Sequence, residues 1–256
     1  MRKVEELVAL VESYLDELAL TPELGGLAES VRYALAGGGK RVRPVLCLAT
    51  GEALGRDAEE LLPAGAAVEL VHTFSLVHDD LPALDDDDVR RGRPSVHVQF
   101  DEAIAILAGD ALLAEAVRLA LSYPTTAVAR ELTQATLGMI GGQYLDITQS
   151  EDDLAALHRL KTGQLFAASV GCALWVAEVR ERDQKPWRAF ADDVGLLFQI
   201  VDDILDGDGY VLTRGVEGAR ELADTAAERA QARLGELEAE TSVLAEIVAS
   251  LSARTS

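Results

Sequence analysis

The chain has 256 residues, 49% of them hydrophobic and 26% charged, which gives enough apolar material for one sizeable core and excludes wholesale disorder. Its 44 acids against 23 Lys plus Arg leave a formal net charge of -21, which argues against a nucleic-acid partner. An anionic ligand on so acidic a chain needs local Lys/Arg or a divalent cation to overcome the field.

The chain begins with an amphipathic rather than a continuously apolar segment, in which Val4, Leu7, Val11, Leu15 and Leu18 recur at helical spacing. No stretch reads as the roughly 18 uncharged apolar residues of a membrane span, so the chain is expected to be soluble and cytoplasmic. Breaks at Thr21-Pro22, Gly37-Gly38-Gly39, Pro63, Pro82, Gly92-Arg93-Pro94, Tyr123-Pro124, Ser150, Pro186 and Asp206-Gly207-Asp208-Gly209 separate further helical segments. They divide the chain into about ten helices joined by short connections, which predicts antiparallel neighbours around one core. Ala and Leu abound, aromatics are 5%, and no stretch alternates long enough for a strand. The fold class is all-α, a single domain over residues 1–256. Cys47 and Cys172 each sit in an apolar run and read as two buried free thiols.

Two segments carry chemistry. The helix from Ala67 to Asp80 places His72, Ser75 and Asp79 at i, i+3 and i+7 among Val68, Leu70, Val71, Phe74, Leu76 and Val77, and ends in carboxylates. Pro82 forces the chain to change direction, letting Asp85 return toward Asp79 and Asp80. The run Asp85 to Asp88 by itself reads as a solvated loop, so the signal is Asp79-Asp80 with its spacing to Asp85. In Phe198 to Asp206, the polar residues Gln199, Asp202, Asp203 and Asp206 share one face of an otherwise apolar helix. Burying several like charges costs far more than solvating them unless a cation compensates. Magnesium takes carboxylate oxygens together with substrate phosphates, so two acid clusters make a clamp for a diphosphate. Zinc is disfavoured, since neither cluster contains Cys and His78 has no second His beside it; His78 reads as a packing or supporting residue. Basic residues stand where an anion needs them: Lys40, Arg41 and Arg43 after the glycines, and Arg90-Arg91 after the acids. The glycine loop is not a P-loop, because Arg41 rather than Ser or Thr follows Lys40.

Five motifs in order, Gly-Gly-Lys-Arg-Val-Arg-Pro from Gly38, Asp-Asp-Leu-Pro-Ala-Leu-Asp from Asp79, Arg-Arg-Gly from Arg90, Lys-Thr-Gly from Lys161 and Phe-Gln-Ile-Val-Asp-Asp-Ile-Leu-Asp from Phe198, span nearly the whole chain. Together they closely resemble the trans-prenyltransferase family of polyprenyl diphosphate synthases. The resemblance implies an isoprenoid-synthase bundle around a central cavity, a homodimer, and a set of magnesium ions, three in number, on Asp79, Asp80, Asp85, Asp202, Asp203 and Asp206. It implies that Lys40, Arg43, His72 and Arg91 hold isopentenyl diphosphate, that Arg90 and Lys161 contact the allylic diphosphate, and that Thr162 and Gln199 turn oxygen dipoles toward the allylic cation. Gln143 and Asp146, in Gly-Gly-Gln-Tyr-Leu-Asp, would support the site from behind.

Product length in such a protein is set below the first acid cluster. Phe74, with Ser75 beside it, lies five residues before Asp79, about 7.5 Å along the axis at 1.5 Å per residue. A ring there floors the cavity, giving farnesyl diphosphate first and geranylgeranyl diphosphate second. The chain departs from the family after Asp206, where a connection with two lysines is expected and only Gly207-Asp208-Gly209 precedes Tyr210. Either the connection is naturally trimmed or a loop is missing from the sequence; a truly short connection predicts weaker allylic binding or a more open site, and it keeps a non-catalytic partner subunit as an alternative. A terpene cyclase is the weaker rival, since it has no use for Lys40 and Arg43 at a second diphosphate.

Overall fold

The structure, a computed structural model, describes residues 1–148 and 157–255; the break expected at Ser150 lies outside the described residues. Among them are eleven α-helices: α1 (Val4–Asp16), α2 (Leu27–Leu35), α3 (Val42–Ala53), α4 (Ala58–Asp79), α5 (Val96–Gln99), α6 (Glu102–Ala120), α7 (Ala127–Thr148), α8 (Gln164–Val176), α9 (Lys185–Asp206), α10 (Tyr210–Gly235) and α11 (Ser242–Ser252). The all-α expectation holds. The one sheet among the described residues is a two-residue antiparallel ribbon, β1 (Val89–Arg90) and β2 (Arg93–Pro94), turned by Arg91 and Gly92 at positive φ.

The periodic apolar positions become the core. Leu7, Val11 and Leu15 bury one stripe of α1, and Ala219, Ala223, Ala226, Ala230 and Leu234 bury one stripe of α10 against α9. Their opposite faces stay charged, as a surface helix requires. The α4 and α8 helices are buried on most sides, with α4 packed among α3, α6 and α8. By length and composition α4 is apolar enough to cross a membrane, which differs from the sequence expectation; here it is the central helix of the bundle, with 67% of that stretch buried. Helix starts follow local chemistry: Asp57 and Glu60 form a capping box on α4, and Asp101 accepts the Ile104 N–H at 2.7 Å to start α6.

Pro63 does not break the chain as expected but lies inside α4. A proline there lacks its own N–H and its ring crowds the turn before it, which pries the ladder open. The Tyr123 hydroxyl fills the gap, accepting the Ala64 N–H at 3.1 Å and donating to the Glu60 carbonyl at 2.7 Å. These are the two groups that would otherwise bond each other, so the helix continues through a remote side chain. Pro186, by contrast, stands in the first turn of α9, where it costs no hydrogen bond. Cys47 and Cys172 are free and buried, and burial pushes the Cys47 thiol up to about 12.

Candidate active site

The chain bends after α4 as Pro82 predicts. The Asp85 N–H donates to the Asp79 carbonyl at 2.8 Å and the Asp87 N–H to the Asp80 carbonyl at 3.2 Å, so the acidic run is folded back over the helix end. Arg90 on β1 donates to Asp80 Oδ1 from Nε at 2.9 Å and to Asp87 Oδ2 from Nη2 at 2.9 Å. Asp80 is buried and held in this pair, while Asp79 faces a cavity of about 1140 Å³.

That cavity gathers residues from every motif. Lys40, Arg43, His72, Asp79, Arg90, Arg91, Lys161, Thr162 and Asp202 line it, with Gln143 from α7 and Arg254 from the C-terminal end. Its apolar wall includes Phe74, Leu76, Met139, Ile140, Ile147 and Leu165. Phe74 is 8% exposed and meets His78 edge-on at 5.1 Å. Ser75 lines the wall beside it, its hydroxyl donating to the His72 carbonyl. His78 is a packing residue as read from sequence: it lies within hydrogen-bond reach of the Ile106 carbonyl, and a side chain at Gly109 would collide with its ring. Asp80, Asp85, Gln199, Asp203 and Asp206 stand outside the lining.

Lys161 and Thr162 sit on a five-residue π-helical segment, Arg159–Gly163, that leads into α8. Single π-turns of this kind recur at functional sites because the widened turn re-aims side chains. Gly142 permits the arrangement, since a Cβ on it would lie 2.5 Å from the Lys161 nitrogen. Lys161 Nζ donates to Asp146 Oδ2 at 2.5 Å, which ties the lysine to α7. The Gln143 Oε1 is buried at the same wall with no hydrogen-bond partner among the described residues.

The acids fit a divalent cation. Burial first, then the charges of Asp85 and Asp80, push the Asp79 carboxyl up to about 6 against the pull of Lys161, a penalty that a metal ion relieves. Burial and Asp206 raise Asp202 as well, opposed by Arg254, Arg43 and Lys40. Among the described residues no three His, Cys, Asp or Glu gather closely enough to hold a metal alone, so hard carboxylate oxygens here suit an ion shared with phosphate oxygens.

The basic side fits an anion. Arg43 packs against the paired rings of Phe166 and Phe198, its guanidinium 4.7 Å and 5.1 Å from the ring centroids, and its Nε is buried without a hydrogen-bond partner among the described residues. Burial pushes Lys40 and Arg43 below their usual values, and burial with the surrounding guanidiniums holds His72 neutral. Arg91 donates to the Gly38 carbonyl and covers Gly39, where any Cβ would strike its guanidinium.

Two features were not read from sequence. Arg254 follows α11 and reaches Asp202 Oδ1 at 3.3 Å while lying 5.7 Å from the Phe198 ring centroid; its Nε and Nη1 are buried without hydrogen-bond partners among the described residues. The nearest signal was a lone arginine after Ala253, with no motif around it. The other is Asp203, 3% exposed, with Oδ1 taken by Gln199 Nε2 at 2.6 Å and Oδ2 by the Tyr210 N–H at 2.8 Å. It caps the short turn from α9 to α10, where Gly209 at φ 46 leaves no room for a side chain against the carboxylate.

The polyprenyl synthetase family profile matches residues 25–216. The chain belongs to that family. It is 36% identical to a farnesyl diphosphate synthase of Bacillus subtilis over 89% of this chain and 88% of the relative. A geranylgeranyl diphosphate synthase of Cyanophora paradoxa is 42% identical over 70% of this chain, a stretch spanning 64% of that relative's length. Among solved structures, a geranyltransferase from Legionella pneumophila superposes with a TM-score of 0.88 at 33% identity, covering 98% of this chain and 96% of that one. These likenesses and the eleven helices agree on the isoprenoid-synthase fold that the motifs imply.

Proposed function

We propose that this polyprenyl synthetase is a magnesium-dependent, short-chain trans-prenyl diphosphate synthase that adds isopentenyl diphosphate to an allylic diphosphate, making farnesyl diphosphate first and geranylgeranyl diphosphate second. One observation carries the reading. A single cavity is lined by carboxylates from two helices, Asp79 and Asp202, that burial pushes up, by the guanidiniums of Arg43 and Arg254, and by an apolar wall that includes Phe74.

In this reading Asp79, Asp80 and Asp85, with Asp202 and Asp206 opposite, would hold magnesium, which when bound neutralises charge on the leaving diphosphate; Asp203, also expected there from the sequence, has both oxygens engaged by Gln199 and Tyr210 and would join only once its turn releases it. Lys161, fixed by Asp146, and Arg90, fixed by Asp80, add positive charge to the allylic diphosphate as its carbon–oxygen bond breaks. Thr162 turns its oxygen toward the resulting cation from the π-turn. Gln199, outside the cavity lining with its amide NH2 donating to Asp203, would add its Oε1 only by turning inward. Lys40, Arg43, His72 and Arg91 position isopentenyl diphosphate so that its double bond attacks the cation. A proton then leaves the new chain, with the released diphosphate as the base. Gln143 on α7 lines the same cavity and would support the site from there.

The same proposal includes a cytoplasmic homodimer. Leu137 on α7 and Ile106 and Leu107 on α6 are exposed apolar side chains outside the cavity lining. A second copy would cover this face, which sedimentation analysis tests directly. Asp203 committed to its turn favours the second reading, a non-catalytic partner subunit. Incubation with magnesium, isopentenyl diphosphate and each allylic diphosphate separates them: linear products support the synthase, and a folded chain without turnover supports the subunit.

A further inference from the structure

Between α2 and α3 the chain makes a turn that has three residues at positive φ: Gly38, Gly39 and Arg41. Glycine adopts such angles freely, but a residue with a side chain rarely does. Arg41, at φ 45, lies between the two cations assigned to isopentenyl diphosphate, Lys40 and Arg43, yet has no role in that assignment. It is 3% exposed, and its guanidinium is fully engaged. Nε donates to Glu12 Oε1 of α1 at 2.8 Å, Nη1 to Glu69 Oε1 of α4 at 2.6 Å, and Nη2 to the Leu35 carbonyl at the end of α2 at 2.7 Å. One planar fork therefore ties the turn to three helices, a geometry that lysine cannot reproduce.

Glu69 has a second part in this arrangement. It is itself 3% exposed, it lines the cavity, and it stands on α4 one turn before His72. Lys40, Arg43 and Arg91 converge on this end of the cavity, and like charges brought together in a partly buried place repel. Glu69 shares the cavity lining with Arg43 and Arg91 and attracts both, alongside Asp202 acting on Arg43 and Lys40 and Glu12 acting on Arg91, so it is a resident negative charge within the basic cluster.

We propose that Arg41 and Glu69 are positioning residues for isopentenyl diphosphate: the Arg41 fork fixes the backbone that aims Lys40 and Arg43, and Glu69 holds the cationic cluster together before the diphosphate arrives. This rests on the reading of that end of the cavity as the isopentenyl diphosphate site. The expectation is specific, because among the described residues the side-chain hydrogen bonds of Arg41 and Glu69 go to each other, Glu12 and Leu35 rather than to Asp79 or Asp202.

The test uses the full chain saturated with magnesium and dimethylallyl S-thiolodiphosphate, an unreactive allylic analogue, and titrates isopentenyl diphosphate calorimetrically. Arg41→Lys and Glu69→Gln should each weaken isopentenyl diphosphate binding about tenfold or more, with affinity for the allylic analogue within about twofold of the parent. In turnover the same split should appear as a raised KM for isopentenyl diphosphate and a nearly unchanged KM for the allylic substrate. Parallel loss of both ligands, or no loss of either, overturns the inference. A parent chain that binds the analogue but no isopentenyl diphosphate removes the reading of the site and the inference with it. Should either buried substitution prevent folding, Glu12→Gln decides: Glu12 is partly exposed and leaves the Arg41 to Glu69 pair intact. It should weaken isopentenyl diphosphate alone, and an unchanged affinity refutes the anchoring role.

Discussion

Replacing Phe74 with Ala tests how the cavity limits its product. The side chain is 8% exposed, lines the cavity wall, and lies one and a half turns of α4 from Asp79, about 7.5 Å along the axis. Truncating the ring removes its edge contact with His78 and opens the wall toward Val71 and Leu70, both buried on the same helix. Buried Phe→Ala changes cost about 3–5 kcal/mol, and this one belongs at the lower end because one side of the ring already faces the cavity. For a chain of this size the melting temperature should fall by about 6–12 °C, so the variant stays folded at assay temperature. With magnesium, isopentenyl diphosphate and dimethylallyl diphosphate, chromatography of the dephosphorylated products should show chain length rising by at least one five-carbon unit over the parent. An unchanged product from a folded, active variant refutes Phe74 as the floor.

Other outcomes follow from the same geometry. Tyr123→Phe should cost about 1–3 kcal/mol in urea unfolding, because the Ala64 N–H and Glu60 carbonyl across Pro63 lose their bridge; an unchanged midpoint would mean that the helix closes by itself. Asp79 is pushed up to about 6, above its ordinary 3.8, so its ionisation costs the metal-free fold stability as pH rises through that window. Magnesium with inorganic pyrophosphate should therefore raise the melting temperature more at pH 7.5 than at pH 5, and an equal rise at both would count against Asp79 as a ligand. Arg254→Met should raise the KM for isopentenyl diphosphate several-fold with little change in the melting temperature, since the side chain meets the cavity at Asp202 and Phe198 rather than the core.

What the sequence made legible was local. Helical spacing placed the buried face of α1, the proline after Asp80 announced the fold-back of Asp85, and five motifs converged on one cavity. What it concealed depends on partners distant along the chain. Pro63 reads as a break until Tyr123, about sixty positions later, supplies the missing link. Arg254 stands alone in the sequence and meets Asp202 only because α11 packs beside α9. The shared helix face of Gln199, Asp202, Asp203 and Asp206 was correctly periodic, but periodicity does not say which acid the next turn will take. The apolar stretch of α4 is likewise ambiguous until its neighbours are known.

Asp203 links the length of a connection to the freedom of a carboxylate. A turn of three residues between α9 and α10 leaves the Tyr210 N–H directly over the helix end, and the acid that answers it loses the rotation a ligand needs. Lengthening that turn with a few glycines would release Asp203 toward the cavity without altering a single residue of the acid face. Variation in this part of the molecule would then act by insertion and deletion as much as by substitution, with loop length setting how many acids the second cluster can offer.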